Sequence, residues 1–384
     1  MGKSSSGPIG LYIHVPFCRS KCPYCDFFSL CGAENLMDDY TGCIINQINF
    51  FSEKIHRPAD TLYFGGGTPS LLGGRRIARI TEAARRAFGL NGAEITVEAN
   101  PGSELSGFME EVHAAGVNRI SLGLQSANVE ELRLLGRSHT PCDATRAVQS
   151  ARKAGIENIS LDLMLAVQGQ NKASLINSMD FCAGLGVPHI SAYILTLEPR
   201  TVYWKNRKSL RLPDEEASAG LYLTTCNELE KRGYHQYEIS NFAKAGFESS
   251  HNLKYWHCEE YLGLGPSAHS YINGRRFHFE SSLQKFLHGS APVQDGEGGS
   301  FDEFAMLRLR LAEGLTDSAC RERFGMPIPG RIRRAAKFYE SCGLTSCWSG
   351  GFRFTPHGFL LSNTLTAEVL FALPKTPSSA PYNT

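Results

Sequence analysis

No stretch of about 18 consecutive apolar residues occurs in the chain, so no membrane-spanning helix is expected. Neither sign of charge dominates: 39 Lys and Arg against 38 Asp and Glu leave a formal net charge of +1. Without a global field there is no electrostatic reason to expect a nucleic-acid partner or an anionic lipid surface. The opening residues, MGKSSSGPIG, lack an apolar core and an Arg-rich amphipathic pattern, so no targeting segment is read there. Cysteine, at 12 in 384 residues, is too sparse for a disulfide scaffold. Together these absences predict a cytoplasmic globular protein with no integral membrane segment.

The chain does have enough apolar residues, 42%, to bury a core, and the length for one large α/β domain plus a smaller unit. Short β-rich runs at 11–15, 61–65, 94–99, 119–124, 158–165 and 189–195 alternate with helix-like segments at 34–55, 75–88, 104–115, 128–136, 142–154 and 172–185. Sixfold alternation predicts a parallel sheet with crossover helices. The near-continuous apolar strands predict cover on both faces. In such folds chemistry collects at the carboxyl ends of the strands, which here carry PFCRSKC, GGGTPS, EANPG and LQS. Beyond Pro199 the rhythm changes to a helix at 214–232 and a stretch rich in aromatics and histidine. Residues 1–287 are therefore expected to form a barrel domain with its extension, and 288–300 a linker. Residues 301–372 read as helix, helix, hairpin and helix, a small winged-helix-like α+β unit, and 373–384 as a disordered tail.

Nine cysteines stand singly and read as small buried hydrophobes. Cys18, Cys22 and Cys25 are different: three thiols share one loop directly after a strand. In a reducing compartment that spacing points to metal or cluster chemistry. A zinc site needs a fourth ligand, for which Cys31 or His14 would have to serve. Ferredoxin-type runs supply four thiolates per cluster. Three thiolates on a cubane instead leave one iron open to a small chelating ligand.

The Cys-x3-Cys-x2-Cys motif, with Tyr24 before its last cysteine, resembles that of the radical S-adenosylmethionine (SAM) superfamily. YIHVPFC, CPYCDF, GGGTPS, EANPG, RISLGLQS, LGRSH, LDLM, YEISNFA, HNLKYW and YLGLGPSAHS narrow the likeness. Over residues from about 10 to 370 the chain resembles the oxygen-independent coproporphyrinogen III oxidase-like family, and within it the heme chaperone (HemW) branch. The resemblance implies a partial (βα)6 TIM-type radical SAM barrel with a small C-terminal winged-helix-like α+β domain. It implies a 4Fe-4S cluster on Cys18, Cys22 and Cys25, with SAM chelating the open iron. SAM contacts are implied at Tyr12, Tyr24, Gly66, Gly67, Thr68, Glu98, Gln125, Arg137 and Asp162. Read without the family, the glycine run serves equally as a tight turn, and the four polar residues at strand ends as satisfied surface or capping groups.

The hexapeptide HNLKYW, residues 251–256, resembles the HNxxYW segment of that branch and makes His251 the expected heme ligand. A hydrogen-bonded structural histidine is the reading beside it. The implied function is a heme chaperone that passes heme to an acceptor apoprotein, with an electron donor if SAM is cleaved. The alternative is a radical SAM oxidoreductase that decarboxylates coproporphyrinogen III or a related tetrapyrrole. Phe27 stands where the oxidases carry a further cysteine, and the first ligand comes at residue 18 without their long N-terminal arm. Both features favour the chaperone branch. A third departure lies beside Asp162: where the family reads GLPxQ after LDLM, this chain reads LAVQGQ (165–170).

Overall fold

The computed structural model describes residues 7–102 and 105–371. The tail expected at 373–384 lies outside the described residues. Six parallel strands form the centre: β1 (Ile9–Val15), β2 (Ala59–Gly66), β3 (Glu94–Ala99), β4 (Arg119–Gln125), β5 (Asn158–Leu165) and β6 (His189–Ile194). They pair in sequence order, β1 to β6, with every central pair parallel. Crossover helices at Met37–Ile55, Gly74–Phe88, Ser106–Ala114, Pro141–Lys153 and Lys172–Gly184 cover the outer face. Local chemistry starts two of them sharply. Thr140 and Asn171 each close a capping box, and Pro141 sits at the first helical position, where its missing N–H costs nothing.

The strands are not apolar on both faces, contrary to the expectation from their composition. One set of alternate positions faces outward: Leu11, Ile13, Leu62, Phe64, Ile95, Val97, Ile120, Leu122, Ile159, Leu161 and Ile190 all join the core beneath the helices. Their alternate neighbours face inward and are polar or aromatic. Between neighbouring strands Tyr63 reaches Glu98, Ser121 reaches Asp162, and Ser160 reaches His189. The period of two thus builds an aliphatic outer shell and a hydrogen-bonded interior.

The barrel is partial because strands of the opposite sense stop it from closing. At one edge β7 (His235–Gln236) and β8 (Asn241–Ala243) extend the sheet antiparallel from β6. At the other, β9 (Tyr261–Leu264) pairs parallel with β1. Then β10 (His269–Ile272), β11 (Arg275–His278) and β12 (Val293–Glu297) continue antiparallel. Strand β12 falls inside the segment expected as a linker. It is exposed along its whole length, and an outer edge strand needs no apolar face to announce it.

Beyond residue 300 come helices Phe301–Arg308, Asp317–Phe324 and Gly330–Glu340, then a small sheet. Its strands are β13 (Leu315–Thr316), β14 (Thr345–Trp348) and β15 (Gly351–Phe354), in the order β13-β15-β14. Short helices at Pro356–Leu360 and Ser362–Phe371 follow. No helix among the described residues is long and apolar enough to cross a membrane.

Candidate functional site

The cysteine loop leaves the barrel at the carboxyl end of β1 and is tied at its neck. Leu30 N donates to Pro16 O (2.7 Å) and Cys18 N to Leu30 O (2.9 Å). Cys25 N donates to Cys22 O at 3.1 Å, closing a turn inside the loop. Lys21 Nζ donates to Phe27 O and, at 2.9 Å, to Ser29 Oγ. Cys18, Cys22 and Cys25 are half-buried free thiols, whereas Cys31, past the neck, is exposed. Burial pushes the Cys25 thiol above its ordinary value, with its neighbours Cys22 and Cys18 adding to the push.

The three thiols are not gathered tightly enough for one ion. A single zinc with Zn–S bonds of about 2.3 Å draws its sulfurs to about 3.8 Å apart. Among the described residues, the His/Cys/Asp/Glu triple whose ligand atoms all lie within 4.8 Å of one another is His269, His278 and Asp295, not the cysteine triplet. Nor is His14 open to complete a tetrahedron. Its Nε2 donates to Phe28 O (2.8 Å), and its Nδ1 accepts from the Tyr12 hydroxyl (3.1 Å). Burial holds His14 below its ordinary pKa, so it stays neutral in this pairing.

The glycine run packs the end of β2 against the cysteine loop. Gly66 N donates to Glu98 Oε2 (3.3 Å), Gly67 N to Val15 O (2.8 Å) and Thr68 N to Phe17 O (2.8 Å). All three are engaged within the protein. A Cβ on Gly67 would stand 2.6 Å from Phe17 O and 2.9 Å from Val15 O. Glycine is required there because the end of β2 lies directly against the backbone that launches the cysteine loop. Gly66 has a φ of 109° and its Cβ would meet the His14 ring at 2.6 Å.

From this junction a polar chain runs across four strand ends. Cys18 Sγ lies 3.6 Å from Thr68 Oγ1, which accepts from Asn100 Nδ2 (3.1 Å). Asn100 Oδ1 accepts from Arg137 Nη1 (2.8 Å), and Arg137 Nη2 and Nε donate to the Tyr24 hydroxyl at 2.7 and 3.0 Å. Cys18 and Tyr24, both on the loop, are thus clamped through residues that follow β2, β3 and β4. Gln125 joins the cluster from the end of β4, where its φ of 66° puts a non-glycine residue in the left-handed region. Gly123 leaves the room: a Cβ there would stand 2.8 Å from Gln125 Nε2 and 3.1 Å from Asn100 Oδ1.

Deeper in the lumen lie two carboxylates. Glu98 accepts from the Tyr63 hydroxyl (2.7 Å) and from Gly66 N. Burial raises it to about 7, against the pull of those two donors, and the charge of Asp162 adds to the rise. Asp162 accepts from Ser121 Oγ at 3.1 and 3.2 Å and from Ser160 Oγ at 3.4 Å; burial raises it too. The turn beside Asp162 survives the lost glycine–proline pair. Ala166 takes a φ of 59°, and Gln170 secures it, accepting from Ala166 N (2.7 Å) and donating to Met164 O (3.0 Å). Asn100, Tyr63 and Ser121 were not singled out from the sequence. Asn100 sits inside EANPG, and the other two are inward positions that period-two alternation picks out.

His251 does not fit the role of an axial ligand. It is 1% exposed and stands at the opposite, amino-terminal end of the barrel. Thr61 Oγ1 lies 2.8 Å from its Nδ1, and the Tyr255 hydroxyl lies 2.8 Å from its Nε2. Both ring nitrogens are engaged, and burial lowers the ring to about 3. The helix Ser250–Trp256 that carries HNLKYW plugs the barrel base, its first N–H groups donating to the Glu94 carboxylate at 3.0 and 3.1 Å. His257 is held by Glu313 at 2.7 Å, whereas the His269 side chain is 64% exposed.

Residues 12–182 match the model of the radical SAM superfamily, and residues 301–361 that of the HemN C-terminal domain. The chain is 33% identical over 372 residues to "Heme chaperone HemW" of Bacillus subtilis, covering 94% of this chain and 98% of that one. It is 39% identical over 380 residues to "Heme chaperone HemW" of Escherichia coli, covering 93% and 97% respectively. Its fold is that of the Escherichia coli coproporphyrinogen III oxidase HemN, with a TM-score of 0.81 at 22% identity over 95% of this chain and 90% of that one. A three-thiol loop at the mouth of a partial barrel, a matching C-terminal unit and relatives similar from end to end place this chain in the radical SAM superfamily and, within it, in the HemW family.

Proposed function

We propose that this protein is a heme chaperone that binds a 4Fe-4S cluster, SAM and heme, and passes the heme to an acceptor protein. The reading is carried by its end-to-end similarity to two proteins named heme chaperones. Phe27, in place of the further cysteine of the oxidases, supports it. Cys18, Cys22 and Cys25 would hold the cluster, which when bound supplies an open iron for SAM and an electron for its reductive cleavage.

The chain's own residues prepare that site. The Thr68–Asn100–Arg137–Tyr24 chain ties Cys18 and Tyr24 of the cysteine loop to the strand ends. Gly66 and Gly67 let β2 approach that loop without a Cβ between them. Glu98 and Asp162 put two buried carboxylates in the lumen, which suits a ligand bearing ammonium and sulfonium charge. Tyr12 and Gln125 complete the wall. The implied partners are heme, an acceptor apoprotein and, where SAM is cleaved, an electron donor.

Anaerobic reconstitution, iron and sulfide analysis and hemin titration test the reading, with coproporphyrinogen III offered in parallel. About four iron per chain, heme binding and no conversion of coproporphyrinogen III are expected. Decarboxylation with SAM and a reductant would replace the chaperone reading with the oxidase one.

A further inference from the structure

We propose that the heme docks in the cleft between the cysteine loop and strands β9–β11, with His269 Nε2 as the axial donor to its iron. The proposal rests on the heme-chaperone reading above and gives it the site that His251 does not provide. The cleft has a volume of about 440 Å3, within the range of about 300–1,000 Å3 usual for small-molecule sites. Phe27, Phe28, Tyr255 and Tyr261 give it aromatic walls; Arg200, paired with Asp26, and Arg276, held by Glu303, line it as well. Phe27 is 67% exposed on the loop that carries the three thiols, a large ring with one face unused. A tetrapyrrole held there keeps an edge in solvent, as cargo that must be handed on requires.

The donor follows by elimination within the cleft. Both ring nitrogens of His14 are engaged. Cys258 is 1% exposed and accepts from Arg323 Nη2 at 3.6 Å; burial raises its thiol, away from the thiolate that iron needs. Tyr12, Tyr255 and Tyr261 are likewise raised by burial, so their phenolates are costly. His269 is exposed, and among the described residues no hydrogen-bond partner reaches its Nε2.

What lies behind His269 strengthens the case. It is the cross-strand partner of His278, and the two rings stack with centroids 5.0 Å apart. The β11–β12 ladder shifts register between Arg276 and Phe277, and Asp295 lies on the bulged side. Its Oδ1 is 2.8 Å from His278 Nδ1, and its Oδ2 is 3.8 Å from His269 Nδ1. Asp295 thus holds His278 through both oxygens, at 2.8 and 3.0 Å, and the stacked His278 ring in turn orients His269, so Asp295 positions His269 at one remove.

The test titrates the cluster-reconstituted full chain with hemin under anaerobic conditions. His269→Ala should shift the Soret band and weaken binding by at least about tenfold, with iron, sulfide and melting temperature unchanged and the band restored by added imidazole. Asp295→Asn should weaken binding by about tenfold while keeping the histidine-ligated spectrum. His251→Gln should leave the band in place. Wild type failing to bind hemin would sink the chaperone reading itself. Wild type binding hemin while His269→Ala matches it in band and affinity would overturn this site alone. Zinc ion occupying His269, His278 and Asp295 without displacing hemin would overturn it too.

Discussion

Replacing Glu98 by Gln isolates the cost of a carboxylate buried in the lumen. In the folded chain Glu98 is raised from 4.5 to about 7, first by burial and then by the charge of Asp162, while Tyr63 and Gly66 pull the other way. A folded pKa above the unfolded one means the native state binds the extra proton. The stability Glu98 contributes is complete below about pH 4.5 and is lost as pH rises to about 7. The shift from 4.5 to about 7, at 1.36 kcal/mol per unit, is worth about 3 kcal/mol as an upper bound. Because the unfolded group has partly ionised by pH 5, about 2.5 kcal/mol of that remains to be lost between pH 5 and pH 8. Chemical denaturation of the metal-free chain reads this directly. Wild type should lose up to about 2.5 kcal/mol relative to Glu98→Gln between those two pH values, all other titrating groups being shared. The same variant should bind SAM more weakly, since a neutral amide gives a cation no charge partner. An equal stability difference at pH 5 and pH 8 would refute the account of Glu98 as a carboxylate kept out of water.

Gly67→Ala should destabilise the chain by about 1–3 kcal/mol and lower its iron content, because the new Cβ meets Phe17 O and Val15 O. Gly42→Ala, in a helix with nothing within 4 Å, should raise stability by about 0.5–1 kcal/mol by denaturation, and serves as its control. Cys18→Ala, Cys22→Ala and Cys25→Ala should each abolish the brown iron–sulfur absorption, while Cys31→Ala, outside the loop neck and exposed, should retain it.

Two short-range codes were legible directly. Ligand spacing exposes Cys18, Cys22 and Cys25, because three thiols on one loop need no distant partner to be recognised. Strand–helix alternation exposes the six βα units, because hydrophobic periodicity is written residue by residue. The outer edge strand β12 stayed hidden, since a strand exposed on its whole length carries no apolar alternation to find. The two strand-end residues in the left-handed region, Gln125 and Ala166, were equally silent, as nothing in a side chain's identity announces the backbone angle a packed turn imposes.

Histidine shows where sequence stops. His251 and His269 read alike, each a histidine among aromatics. Yet His251 is sealed by Thr61 and Tyr255 at the barrel base, and His269 is left open beside the cysteine loop. The sequence by itself determined the superfamily, the thiol triplet and the order of the parallel strands, all carried by local spacing. Only the tertiary structure decided which polar groups meet. Glu94 meets the helix at 250–256 and Tyr24 meets Arg137 through contacts between residues 156 and 113 positions apart. Such pairs form when strands and helices pack, and burial then sets which nitrogen, thiol or carboxylate remains free to bind.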